Sequence, residues 1–315
     1  KSQGDDAPLF IGNDKNRQWW VDSRFGVFMH WNPSSIEGTS ISWGRGGLRP
    51  HHSSKENKTG VPAERYDNLY KEFNPVKFDA DKWIKMVKDA GAKYFVFTSK
   101  HHDGFCMFET QHTEYNIMNT PFKRDICKEL AIACEKYGIK LFFYYSQPDW
   151  NHPDYKQKDL TEYNKFLHKQ VAELLEYPSL AGLWWDGLGK DIKTWNGLEL
   201  VKMIKQRRPD ILMNPRFAQR KWRLGDYDTP EQEIGNMQID RPWETCLTMG
   251  QKWSHVHKTK QVLPFEVCMR SLIRCAGGDG NLLLNVGPTP EGTIRDVEIN
   301  NYLRMGKWLK QYGES

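Results

Sequence analysis

Short apolar runs that each end in a polar cluster recur along this chain, separated by stretches of helical periodicity. The first, residues 25–31, holds no polar side chain until His30, as a strand buried on both faces requires. Strands of the same kind are predicted at 94–98, 140–145, 180–185, 211–214, 244–248 and 281–285. Between and after them lie helices at 79–89, 125–137, 159–176, 195–207, 265–276 and 296–312. Seven or eight strand–helix repeats over 315 residues predict an α/β fold with a parallel sheet, best closed as a (β/α)8-like barrel of TIM type in one domain spanning 1–315. A doubly wound sheet is the runner-up, but no G-x-G-x-x-G follows any strand.

In such a barrel the site lies at the C-terminal ends of the strands, where His30, His101, His102, Tyr145, Asp186 and Asn214 fall. Asp186 closes the run Trp184-Trp185-Asp186-Gly187. A bare Asp-Gly is commonly a turn, but two tryptophans before it suit a dehydrated, oriented nucleophile. Three strand-end histidines suit hydrogen bonding to sugar hydroxyls, and His101 and His102 lack a third metal ligand at a recognisable spacing. A retaining glycosidase needs a second carboxylate about 5–5.5 Å from the first. Asp226, Asp228, Glu231, Glu233 and Glu244 all qualify by position, and spacing does not choose among them.

Composition narrows the classes further. The 45 Lys and Arg are spread among 40 Asp and Glu, and the densest basic stretch, 216–223, reads as a solvated loop, so no nucleic-acid partner is expected. No apolar run approaches the roughly 18 residues of a membrane span. The 13 Trp, 13 Tyr and 15 Phe suit a cleft that stacks sugar rings, although aromatic residues are first of all core material. Six cysteines without a C-x-x-C pair read as buried free thiols. The polar start 1–6 reads as a mature N-terminus; a secreted, periplasmic or cell-surface location is inferred from function.

Taken together, residues 24–31, 100–105, 119–125, 184–187 and 280–288 closely resemble glycoside hydrolase family 29, the α-L-fucosidases. The resemblance implies a retaining exo-α-L-fucosidase without metal or organic cofactor, acting on oligosaccharides or glycoconjugates with a terminal α-L-sugar. It implies Asp186 as nucleophile, and His30, His101, His102, Tyr145 and Arg216 as sugar contacts, with Trp185 and Trp43 supplying aromatic faces. Thr229-Pro230-Glu231-Gln232 resembles the acid/base segment of the subfamily acting on α-1,3 and α-1,4 linkages, which favours Glu231 and leaves Glu244 as a supporting or leaving-group contact. Where the family has a Glu-Trp-Tyr-like segment, this chain reads Ser40-Ile41-Ser42-Trp43-Gly44-Arg45. Loss of that acid raises L-galactose as the alternative sugar, and an inactive sugar-binding relative is the alternative outside catalysis. The family's C-terminal β-sandwich would begin where this chain stops, so it is expected to be absent or truncated.

Overall fold

The computed structural model describes residues 14–219, 224–234, 240–257 and 261–313. The start at 1–6 and the basic residues Arg220, Lys221 and Arg223 lie outside them. Helix α1 (Asp14–Ser23) leads into β1 (Phe25–Met29), and a two-stranded ribbon, β2 (Gly47–Leu48) with β3 (Glu56–Asn57), precedes α2 (Ala63–Asn68). The repeats follow as α3 (Ala80–Asp89), β4 (Tyr94–Lys100), α4 (Ile126–Tyr137), β5 (Lys140–Tyr145), α5 (Thr161–Leu174) and β6 (Leu180–Trp185). The remainder are α6 (Gly197–Arg207), β7 (Leu212–Met213), β8 (Glu244–Thr248), α7 (Phe265–Gly277), β9 (Asn281–Val286) and α8 (Asp296–Tyr312). Local chemistry sets the helix ends: Asp79 and Asp125 accept the N–H of Lys82 and Lys128 at 3.0 and 2.8 Å, and Gly138 stops α4 at a φ of 69°.

Seven strands form one curled parallel sheet in the order β7-β6-β5-β4-β1-β9-β8. The seven or eight repeats expected from sequence give a seven-stranded sheet among the described residues, β7 being only two residues long. Both edge strands border the same segment, which lies between them in the chain. Asp226 donates its N–H to the Met213 carbonyl and accepts the Met213 N–H, each at 2.7 Å. Farther on, Asp228 makes a parallel bridge to Trp243, just before β8, and Glu231 one to Cys246 within it.

Along most of the sheet, side chains alternate between two cores, as the pleat demands. Val27, Met29, Phe95, Phe97, Phe143, Tyr145, Leu183 and Trp185 face outward into the layer beneath the helices. Phe28, Tyr94, Val96, Phe142, Tyr144, Trp184, Cys246 and Leu283 face inward and form a second core, which Trp20 of α1 joins by stacking on Tyr227 at 4.0 Å. A bulge between Thr98 and Lys100 breaks the alternation in β4. Lys100 therefore turns outward, fully buried, against Asp149 at 3.4 Å and over the Tyr145 ring at 4.5 Å. His101 turns inward.

Candidate active site

The inner face opens at the strands' C-terminal ends into a cavity of about 590 Å³, whose lining includes His30, Trp43, His101, Tyr144, Trp184, Asp186, Arg216, Glu231 and Trp253. Asp186 follows β6 directly. Its carboxylate accepts the Tyr144 hydroxyl at 2.9 Å and the Leu188 N–H, and its side chain is 17% exposed. The turn that delivers this N–H needs Gly187, because a Cβ there would meet the Arg216 carbonyl at 2.8 Å and Gln147 at 2.9 Å. Leu188 itself adopts a φ of 52°, a strained value for leucine that the turn imposes. Burial lifts the Asp186 carboxyl above its ordinary range, while Arg216 and the two hydrogen bonds work against that rise.

Three histidines stand beside it. His30 Nδ1 lies 2.6 Å from Asn285, His101 Nδ1 2.6 Å from Ser42, and His102 Nδ1 2.7 Å from Ser146. Burial pushes His30 and His102 down to about 3 and His101 well below its usual value. All three are neutral at physiological pH, so the 3.6 Å approach of His102 Nε2 to Asp186 is not an ion pair. The Asp103 that follows them is a structural buttress, buried and bonded by Asn32 and Tyr66 at 2.8 and 2.7 Å. Ser42 Oγ accepts the Asp103 N–H at 2.8 Å while contacting His101.

The two acid candidates separate cleanly. Glu231 lies in the cavity lining, 38% exposed, and accepts from Arg216 Nη1 at 2.8 Å. Arg216 is also held by Thr229 and sits over the Trp184 ring at 4.7 Å. Glu244 is completely buried below the cavity, accepting Tyr94 Oη–H at 2.6 Å and Trp184 Nε1–H at 2.9 Å, and burial pushes its carboxyl up to about 7. A leaving-group contact for Glu244 is therefore corrected, since no path leads from it to a ligand. Its contact is the far edge of Trp184.

Two further expectations are corrected by parity. Tyr145 faces the helices and donates its hydroxyl to Gln170 at 2.7 Å, and Trp185 packs beside Tyr145 and Phe217 in the same outer layer. Their predecessors, Tyr144 and Trp184, line the cavity instead. Asn214 works within the frame, exchanging hydrogen bonds with the Trp185 backbone at 2.9 and 3.0 Å. Sequence reasoning also missed Trp253, whose ring lies 5.0 Å from His30, and no motif around it signalled a role. Among the described residues no three His, Cys, Asp or Glu side chains are arranged to hold a metal ion, and no helix is long and apolar enough to cross a membrane. All six cysteines are free and buried.

A family profile described as alpha-L-fucosidase matches residues 11–314. The chain belongs to the alpha-L-fucosidase family. It is thereby a glycoside hydrolase, and the retaining chemistry of family 29 goes with that membership. Among solved structures it resembles alpha-L-fucosidase isoenzyme 1 from Paenibacillus thiaminolyticus, at 32% identity and a TM-score of 0.86 over 96% of this chain and 77% of that one. A Bacteroides thetaiotaomicron family 29 alpha-L-fucosidase, trapped as a covalent intermediate with 2-fluoro-fucosyl fluoride, matches at 28% identity and a TM-score of 0.80, over 96% and 76% of the two chains. Human plasma alpha-L-fucosidase is 27% identical over 94% of this chain and 68% of its own length.

Proposed function

We propose that the cavity hydrolyses terminal α-L-fucosides by double displacement, with Asp186 as nucleophile and Glu231 as acid/base. In the first step the Asp186 carboxylate bonds to the anomeric carbon as the glycosidic C–O bond breaks and Glu231 protonates the departing oxygen. In the second, Glu231 takes a proton from water, whose oxygen displaces Asp186. One observation carries the reading: a carboxylate held by Tyr144 and Leu188 opens into the same cavity as a second, solvent-reachable carboxylate. A raised pKa favours Glu244 as the acid, but access comes before pKa and Glu244 has none. The Arg216 contact suits Glu231 as the base of the second step. His30, His101, His102 and Arg216 grip the sugar, and Trp43 and Trp184 flank it.

We infer the same architecture to be a (β/α)8-like barrel with 226–232 in the place of the remaining strand, a reading supported by that segment's hydrogen bonds to β7 and beside β8. The plasma enzymes among the relatives support export. Hydrolysis of an aryl α-L-fucoside, followed by proton NMR, tests the function: α-L-fucose is the expected first product. An Asp186→Gly variant is expected to be inactive until azide is added, then to yield the inverted fucosyl azide. Cleavage of the aryl α-L-galactoside alone would overturn the choice of sugar. Binding without product on long incubation would overturn catalysis.

A further inference from the structure

Two histidines, His30 in the cavity lining and His102 buried beside Asp186, have their hydrogen-bond polarity dictated from outside the cavity. Ser146 Oγ lies 2.7 Å from the Pro148 carbonyl and 2.7 Å from His102 Nδ1. A carbonyl oxygen only accepts, so the single hydroxyl hydrogen of Ser146 goes to Pro148, and Ser146 must accept from His102. Nδ1 then carries the ring's hydrogen. Because burial, with Lys100 and Arg49 nearby, keeps this imidazole neutral, Nε2 is left as a bare lone pair. That nitrogen is buried without a protein partner and points at Asp186.

His30 obeys the same logic through an amide. Asn285 Nδ2 donates to the Trp253 carbonyl at 2.7 Å, which turns Oδ1 toward His30 Nδ1 at 2.6 Å. The amide oxygen accepts, so Nδ1 again carries the hydrogen and Nε2 is the acceptor. At His101 the partner is Ser42, which accepts the Asp103 N–H and hydrogen-bonds the Asp103 carboxylate in place of a backbone carbonyl.

We propose that Ser146 and Asn285 are positioning residues that lock His102 and His30 as hydrogen-bond acceptors, so that the site takes its sugar by hydroxyls acting as donors at both places. With the Asp186 carboxylate beside them, the pocket presents a row of acceptors. A polyol with neighbouring hydroxyls satisfies such a row, each hydroxyl bringing one hydrogen. An ether, or a fluorine in a hydroxyl's place, brings none. The proposal rests on the cavity being the sugar site, but the tautomers do not depend on turnover.

Nitrogen NMR of the substrate-free enzyme with labelled histidines tests it directly. The expected signature is an unprotonated, pyridine-type Nε2 on both His30 and His102. In Ser146→Ala and Asn285→Leu the affected ring is expected to lose its fixed tautomer, with kcat/KM on an aryl α-L-fucoside falling roughly 10- to 100-fold. Ser146→Thr, which keeps the hydroxyl, is expected to restore both. An N–H at Nε2 of either histidine in the wild type would overturn the proposal, as would variants that keep a single tautomer. A mixed tautomer with unchanged kcat/KM would refute the positioning role. The predicted tautomers in a protein that cleaves no fucoside would instead sink the catalytic reading alone.

Discussion

Glu244→Gln separates the two acid candidates and measures what a buried carboxyl costs the fold. Gln keeps the volume, and its amide oxygen can accept from Trp184 Nε1–H, a pure donor, while the amide NH2 meets the Tyr94 hydroxyl, which is able to accept. Trp184 should stay in place under Arg216. In the wild type, burial carries the Glu244 carboxyl from its ordinary 4.5 to about 7. The folded state therefore binds a proton that the unfolded state has released, and stability falls as pH rises between those values. Carried over that window, the loss is about 3 kcal/mol. Urea unfolding of both proteins from about pH 4.5 to pH 8 should show the variant gaining about that much on the wild type as pH rises, other groups cancelling in the difference. Hydrolysis of unactivated fucosides should stay within a few-fold. Parallel stability curves would refute the burial argument. Activity lost on natural fucosides but kept on those with activated leaving groups would make Glu244 the acid.

Three further outcomes follow from the same geometry. Asp186→Asn should abolish turnover yet raise the melting temperature at neutral pH, because the native state holds the ionised carboxylate at a cost; by differential scanning calorimetry the advantage should vanish as pH falls to the ordinary carboxyl range. Tyr144→Phe keeps the ring stacked on His101 and Trp184 but removes a donor to Asp186, so kcat/KM should fall roughly 10- to 100-fold and the acid limb of its pH profile should move to higher pH; an unmoved limb would show that Asp186 does not govern it. Tyr145→Phe should leave kcat/KM nearly unchanged while urea unfolding shows a loss of roughly 1 kcal/mol, since its hydroxyl serves only Gln170; a kinetic defect would restore a contact with substrate.

The strand–helix rhythm of the sheet was legible because parallel strands need apolar runs and their helices need caps, and both leave marks in sequence: Asp79, Asp125 and Gly138 end helices where they were expected to. What carried no such mark was everything held by side-chain bonds over long separations. Helix α1 precedes the first predicted strand, yet its Trp20 reaches into the inner core to stack on Tyr227, more than two hundred residues on. Trp253 and Asn285 enter the site by the same kind of distant contact.

The errors at Tyr145 and Trp185 have one cause, and it limits any reading of a barrel from its pattern. In a half-exposed sheet, polar residues mark the outer face and parity is visible. Here both faces are buried, so Phe-Phe-Tyr-Tyr in β5 and Leu-Trp-Trp in β6 are apolar on either side. Packing in the fold fixes the parity instead. Gly182 sits where a side chain would strike the inward Phe142 ring at under 2 Å, so position 182 must face the interior. Counting by two from it puts Trp184 inward and sends Trp185 out to the helices. Asp186 then continues the inward series beyond the strand's end, which is why the carboxylate beside two tryptophans reaches the cavity with only one of them. The bulge after Thr98 does the opposite for β4, spending one residue to bury Lys100 outside so that His101 arrives within.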